Sequence, residues 1–286
     1  MNLKSLRVTC LILCLGALFV PAHARTVLHN NDPAAKEQYL VGMLQLALQK
    51  SGTDFTPKPL DEVLTEAKTI SEVEAGSVDV YWGTATKENE TRFTPIRIPL
   101  AKGLLGYRLF IIKKGEQHKF DHIENLHQLK LLSAGQGRTW GDTKILSNAN
   151  IPLETSVKYE NLFYMLEGGR FDYFPRAAHE PWSEISTYAK LDLTVEKHLM
   201  LVYPFAMYFY VNQANAELAE AIETGLETAI SDGSFDAYFY SNPLIQSALN
   251  DSNLKSRKRI EIDNPFLPEA TPLARQELWL DVAAIP

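Results

Sequence analysis

The sequence predicts an α/β protein of two lobes, in which mixed, largely parallel sheets carry helices on both faces. Short apolar strands alternate with amphipathic helices along most of the chain, as parallel βαβ units require. Removal of a 24-residue leader from the 286 residues leaves 262, which suits two cores better than one. Two breaks in the alternation, near residues 113–115 and before 203–211, predict a hinge of two strands that cross between the lobes.

The chain begins with a segment typical of secretory leaders. Lys4 and Arg7 precede an apolar run at 8–20, which is followed by the small-residue pattern Ala22-His23-Ala24. The run is shorter than the roughly 20 residues that a membrane-spanning helix needs. We therefore expect export to the periplasm, with cleavage after Ala24.

Composition excludes several classes of site. Both cysteines, Cys10 and Cys14, lie in the leader, so the mature chain has no disulfide, no cysteine metal ligand and no cysteine nucleophile. Bulky Leu13 before Cys14 argues against a lipid-anchoring site. Without the leader the chain has 26 basic and 35 acidic residues, a balance that disfavours nucleic acid as a partner.

The first half of the chain supplies three strands and two helices in alternation. Residues 26–29, 54–60 and 78–82 are apolar strands, and the second contains prolines typical of a sheet edge. Leu40, Met43, Leu44 and Ala47 recur at helical spacing, and a second helix ends at a glycine; the two helices are predicted at 36–50 and 60–76. A polar loop at 83–90 follows the third strand.

The second half repeats the pattern. A helix at 139–149 is expected to begin at Thr139 as its N-cap, and a helix at 160–169 to stop at Gly168-Gly169. A long helix at 214–233 carries Leu218 and Ile222 on one face. The strands of this half are predicted at 106–114, 128–135, 155–159, 170–174 and 206–211.

The order of these segments resembles a known family. The stretches EAGSVDVYWGTATKENE, PIRIPLAKGLLGYRLFIIKKG, LEGGRFDYFPRAAHEPW and SDGSF resemble the family 3 solute-binding proteins, the periplasmic type II binding proteins of polar amino acid uptake. The resemblance extends from about Thr26 to about Tyr240. It implies two lobes, with residues 25–113 and 206–286 in lobe I and residues 114–205 in lobe II.

The resemblance also implies a function. A small polar, carboxylate-bearing solute would bind between the lobes, for an ABC-type permease or a membrane sensor. The chain would be a monomer and would need neither a cofactor nor a metal. Two alternatives stay open: an exported enzyme resembling the cyclohexadienyl dehydratases, with Glu180 as general acid, and a protein with a degenerate cleft that works through a protein partner.

The ligand is expected beyond the carboxyl ends of the strands. Trp82 ends one strand and could stack on a solute, and the unpaired N–H groups after the next strand end would favour a carboxylate. The predicted ligand-binding residues are Trp82, Thr84, Thr86, Arg138, Thr139, Trp140, Arg176 and Glu180.

Arg176 has two interpretations. It follows an apolar run and could bind a carboxylate with both branches of its guanidinium, or it could form an ion pair with Asp172 or Glu180, four residues away on either side.

At Asn89 the sequence departs from the pattern of the family that it resembles. Amino-acid-binding relatives have an arginine there in a Thr-x-x-Arg segment, and an amide offers no charge to a carboxylate.

Overall fold

A computed structural model describes residues 25–285 of the protein. The predicted leader, with its cysteines and its predicted cleavage site, lies outside this range. Within residues 25–285, no helix has the length and apolar character needed to cross a membrane.

Strands and helices alternate along much of the chain. The elements before residue 100 are β1 (Arg25–His29), α1 (Ala35–Lys50), β2 (Phe55–Pro59), α2 (Glu66–Ala75), β3 (Val80–Thr84), α3 (Lys87–Arg92) and β4 (Phe93–Ile96). The middle elements are β5 (Tyr107–Lys113), α4 (Leu126–Leu129), β6 (Ala134–Gly137), α5 (Gly141–Asn148), β7 (Leu153–Ser156), α6 (Tyr159–Glu167), β8 (Tyr173–Ala177), α7 (Pro181–Thr187), β9 (Leu193–Val195) and β10 (Leu199–Val202). The last elements are β11 (Met207–Asn212), α8 (Ala216–Ser231), α9 (Ser234–Ser241), α10 (Pro243–Ser252) and β12 (Lys258–Glu261).

Three sheets divide the strands between two lobes. In lobe I, β1 pairs in parallel with β2, while β11 lies between β3 and β4 and is antiparallel to both. In lobe II a seven-stranded sheet has the order β12-β10-β5-β8-β6-β7, and β9 also pairs with β5. The predicted mixed α/β architecture with two lobes is therefore confirmed.

The first crossing of the hinge lies earlier in the chain than the boundary predicted after residue 113, whereas the second lies at the boundary predicted between residues 205 and 206. The chain crosses from β4 to β5 through residues 97–106, and it returns from β10 to β11 through residues 203–206. The two crossings are hydrogen-bonded to each other, since the Tyr203 N–H donates to the Gly106 carbonyl at 3.1 Å. β5, which the boundary at residue 113 assigned to lobe I, pairs with β8, β9 and β10 of lobe II.

Helix starts account for three other differences. The expected loop at 83–90 contains the end of β3 and the start of α3, because the Thr86 hydroxyl accepts from the Asn89 N–H at 3.1 Å and caps a new helix. The strand expected at 128–135 begins only at Ala134, since Asn125 caps the short α4. The predicted cap at Thr139 is wrong: α5 begins after Trp140, and no side chain caps it.

One apolar core extends across the hinge. It contains much of lobe I, and β5 and β10 of lobe II contribute Leu109 and Met200 to it. In lobe I, α1 and α8 approach so closely that a Cβ added at Gly225 would lie 1.8 Å from the carbonyl oxygen of Ala47. This packing fixes the start of α1 at the edge where the lobes face each other.

Candidate functional site

The carboxyl ends of the lobe I strands border a cavity of about 310 Å³. The starts of α1 and α2 complete it, and so the site has the position expected for ligands of open α/β sheets. Its polar side chains include Asn30, Asp32, Lys36, Glu37, Glu66 and Thr84.

A second cavity of about 390 Å³ lies between the lobes, past the end of β8. Tyr159, His179 and Glu180 line it from lobe II, and Lys36 lines it from lobe I. A narrow apolar gap bordered by Lys36, His179 and Met207 lies between this cavity and the lobe I cavity. Lys36 borders all three spaces and therefore stands at the centre of the cleft.

Trp82 borders the lobe I cavity. Its indole N–H donates to Glu37, and its ring lies 6.0 Å from the His29 ring and 6.1 Å from the Phe209 ring. The neighbouring Tyr81 is buried against Phe93 and Tyr210, at ring distances of 6.0 and 5.7 Å. Of the alternating pair, Trp82 is thus the one that keeps exposed surface towards the cleft.

Thr84 and Thr86 differ in what they can offer. Thr84 lines the lobe I cavity, and its carbonyl accepts from the Asn89 side-chain amide at 3.0 Å and from the Tyr210 hydroxyl at 3.2 Å. The Thr86 hydroxyl caps α3 and does not border the cavity. Asn89 is turned into the backbone of its own loop and does not line the cavity either.

The segment after β6 is only partly in the cleft. Arg138 and Thr139 are exposed and border neither cavity. Trp140 packs inward instead: its ring is nearly parallel to Phe174 at 6.2 Å and lies 6.1 Å from Tyr159. Tertiary packing therefore brings Trp140, but not its two neighbours, to Arg176.

Arg176 is held in a buried ion pair. It is 7% exposed, its Nε lies 2.9 Å from both carboxylate oxygens of Glu184, and its Nη2 lies 2.6 Å from Glu184 and 2.8 Å from Glu180. The guanidinium carbon lies 5.0 Å from the centre of the Trp140 ring and 4.9 Å from that of Phe174. Asp172 is not a partner, because it pairs with Lys119 at 3.0 Å.

Electrostatics favours the ionised forms of Arg176 and Glu180. Burial opposes the charge of Arg176, but the carboxylates of Glu180 and Glu184 outweigh it and raise the pKa of the guanidinium. Burial likewise opposes the charge of Glu180, and nearby Arg176, His179 and Arg108 together lower the pKa of its carboxyl. Within residues 25–285 the Nη1 of Arg176 makes no hydrogen bond. This nitrogen of the guanidinium can therefore donate to another acceptor.

Four residues of the cleft escaped the sequence analysis: Lys36, Glu37, His179 and Glu184. Lys36 and Glu37 follow the first strand at the start of α1, and the same carboxyl-end rule that selected Trp82 would have found them. Glu184 had no such signal, because it meets Arg176 only once α7 has folded back on β8. Among residues 25–285, no three His, Asp or Glu side chains converge as a metal site.

A further cavity, larger than these two, lies elsewhere. It has a volume of about 640 Å³ and lies between the hinge and the C-terminal segment, where Lys102, Tyr203 and Trp279 line it. None of the predicted ligand-binding residues borders it. The cleft at the carboxyl ends of the strands is therefore the candidate site.

We expect the protein to lose stability as the pH falls below about 6.5. Burial lowers the pKa of His179; the charges of Lys36, Arg108 and Arg176 lower this pKa further, whereas the charge of Glu180 raises it. Burial also lowers the pKa of His29. The unfolded chain then takes up protons at a higher pH than the folded chain, so acidification favours unfolding. Because the pKa of Glu180 is also lowered, protonation of this carboxylate lowers the stability further, but only in more acidic solution.

Urea unfolding at pH 7.5 and pH 5.5 checks this expectation. His179→Gln should shrink the difference between the two free energies of unfolding. A chain that is as stable at pH 5.5 as at pH 7.5 would contradict it.

No family model matches the chain, and no significant match was found among curated proteins. Solved structures do match it. A probable amino-acid ABC transporter extracellular-binding protein of Bacillus subtilis is 15% identical with a TM-score of 0.58, and the match covers 78% of this chain and 98% of that one. The periplasmic VFT2 domain of BvgS from Bordetella pertussis is 15% identical with a TM-score of 0.55, covering 76% and 92%.

A third match is a histidine kinase sensor domain with similarity to periplasmic binding proteins. It is 14% identical with a TM-score of 0.52, and the match covers 77% of this chain and 96% of that domain. At such identities the matches establish the fold. In agreement with the resemblance in sequence, the chain has the two-lobed α/β fold of the periplasmic binding proteins.

Proposed function

We propose that the protein is an exported, monomeric solute-binding protein that captures a small polar solute between its lobes, for an ABC-type permease or a membrane sensor. One observation carries the proposal: cavities at the carboxyl ends of strands from both lobes meet at Lys36. Closure of two lobes on a ligand needs contacts from both sides, and the cleft offers them. The likeness in fold to a transporter's binding protein and to sensor domains supports both destinations.

The charges of the cleft suit an amino-acid-like solute. The Lys36 ammonium and the unpaired Nη1 of Arg176 can meet a carboxylate in place of the arginine that Asn89 replaces. Asp32 and Glu37 in the lobe I cavity can meet an ammonium group, and Trp82 offers a face for the rest of the molecule.

The proposed contacts keep five of the residues predicted from the sequence and add Lys36 and Glu37, which the sequence analysis missed. Thr86, Arg138 and Thr139 border neither cavity, and we leave them out. Trp140 and Arg176 do not border the cavities either, but we keep them because Trp140 packs on Arg176, whose Nη1 makes no hydrogen bond within residues 25–285. The proposed ligand-binding residues are Lys36, Glu37, Trp82, Thr84, Trp140, Arg176 and Glu180.

A thermal-shift screen tests the proposal. The mature chain, unfolded and refolded to remove carried-over ligand, is screened against amino acids, polyamines, organic acids, nucleosides and prephenate-like acids. A solute at one hundred times its dissociation constant should stabilise the chain by about 2.7 kcal/mol. Lys36→Met should remove most of this gain, whereas Lys144→Met, an exposed lysine on α5, should leave it unchanged.

The screen also separates the alternatives. A solute recovered unchanged supports the binding function. Consumption of a prephenate-like acid would instead indicate a dehydratase, and no stabilisation by any compound in the panel would contradict the proposal.

A further inference from the structure

The C-terminal segment, residues 253–285, passes between the lobes twice, and we refer to it as the tail. It leaves α10, which packs on lobe I through Ile245 and Ala248, and enters lobe II as β12. It then returns to the core that lines lobe I, where Leu278, Leu280 and Val282 are buried. The connection between the lobes therefore consists of four chain segments rather than two.

On lobe II the tail is fastened by a buried arginine. The Nη1 of Arg257 donates to the carbonyls of Glu196 at 2.6 Å and of Leu199 at 3.0 Å, and its Nε donates to the carbonyl of Ser252 at 2.6 Å. The Glu196 carboxylate, 0% exposed, lies 3.5 Å from Nη1 and also accepts the backbone N–H groups of His198 and Leu199. Directly after this clamp, β12 pairs with β10 from Lys258 to Glu261.

On lobe I the tail is fastened by hydrogen bonds to the hinge. Buried Lys102 donates to the Glu277 carbonyl at 2.6 Å, and its own carbonyl accepts from the Leu280 N–H at 2.8 Å. The Tyr107 hydroxyl, at the start of β5, donates to the Leu280 carbonyl at 3.0 Å. Trp279 lies against Gly103, where an added Cβ would come within 2.6 Å of the indole.

The first tail segment that crosses between the lobes is too short to let them move far apart. Leu254 is buried in the lobe I core, and Arg257, three residues later, is clamped to lobe II. Domain closure by a hinge relies on a few residues that are free to change their backbone angles. Here the residues beside the hinge are fixed by buried hydrogen bonds on both lobes, so a wide opening would have to break them.

We propose that the tail restrains the lobes, so that the empty protein stays near the arrangement described here and opens only narrowly. The consequence for solute exchange rests on the proposed function. The restraint itself does not, because it can be measured in the protein without any solute.

Two spin labels report the distance between the lobes. The mature chain has no cysteine, so Val63→Cys and Val157→Cys can be labelled specifically. These side chains are 57% and 73% exposed and follow the carboxyl ends of β2 and β7, one on each lobe. In the doubly labelled protein with an unchanged tail, we expect a single narrow distribution of the distance between the two spin labels.

The double variant Arg257→Met/Glu196→Gln removes the clamp without leaving one buried charge alone. We expect its distance distribution to extend to longer values by more than about 2 Å, the scale of domain rearrangements. The matched control is Arg275→Gln/Glu227→Gln, which removes a tail ion pair made at 2.9 Å within lobe I only. The control should leave the distribution unchanged.

A clamp variant that is folded by circular dichroism and has the distribution of the intact chain would overturn the proposal. So would a broad distribution in the intact chain. If the clamp variant does not fold, a Gly-Ser-Gly-Ser insertion after exposed Phe266 is used instead, because it lengthens the second tail segment that crosses between the lobes. The proposal then requires longer distances in the insertion variant, and unchanged distances refute it.

Discussion

Replacement of Arg176 by methionine is expected to lower the free energy of unfolding by about 3–5 kcal/mol. The guanidinium is the cation that compensates the buried Glu184 carboxylate and the neighbouring Glu180. Its removal leaves Glu184, of which the side chain is 10% exposed, as an uncompensated charge in an aromatic environment. Urea unfolding of the empty protein at pH 7.5 measures the loss.

The double variant Arg176→Met/Glu184→Gln separates charge from packing. Because it removes both charges, it should recover most of the lost stability. Arg97→Gln is the control, since Arg97 is 40% exposed and its pair with Glu90 is expected to contribute little. An Arg176→Met chain as stable as the unchanged protein would mean that Arg176 is a free ligand contact rather than the centre of an ion pair.

Gly225→Ala is expected to cost about 3 kcal/mol of unfolding free energy. In an exposed helix the same change would stabilise the protein by up to about 1 kcal/mol. Here the new methyl group would lie 1.8 Å from the Ala47 carbonyl oxygen, so α1 and α8 must separate. The steric cost therefore outweighs the gain in helix propensity.

The same variant should weaken solute binding, because α1 carries Lys36 and Glu37 into the cleft. Thermal unfolding with and without the solute measures both effects. Gly141→Ala is the matched control: nothing lies within 4 Å of the added Cβ, and stability should change by no more than about 0.5 kcal/mol. A stable Gly225→Ala protein would show that the two helices can adjust without cost.

Local sequence patterns predicted most of the secondary structure. The apolar spacing that begins at Leu40 placed α1 within a residue of its observed start, and Gly76, at φ 77°, ends α2 as expected. Errors occurred where capping decided the boundary. Thr86 starts a helix inside the expected loop, and Thr139, the expected cap, is exposed beside a helix that begins two residues later.

Local sequence patterns also predicted part of the candidate site. Trp82, Thr84 and Arg176 lie at strand ends, and strand ends can be read from a period of two. What Arg176 binds could not be read in this way. The sequence offered Asp172 and Glu180 as neighbours at equal spacing, whereas the bidentate partner is Glu184, brought in by the packing of α7 on β8.

The sequence by itself determined the alternation of strands and helices and the α/β class, and it predicted the edge at which a ligand would bind, because these depend on residues close together in the chain. Only the tertiary structure decided three matters: Lys36 lies opposite His179, Glu184 closes the fork of Arg176, and the tail joins lobe II as β12. Each is a contact between distant segments, and many pairings of such segments satisfy the same local pattern. The choice among them is made by packing and by the cost of leaving a buried charge unpaired.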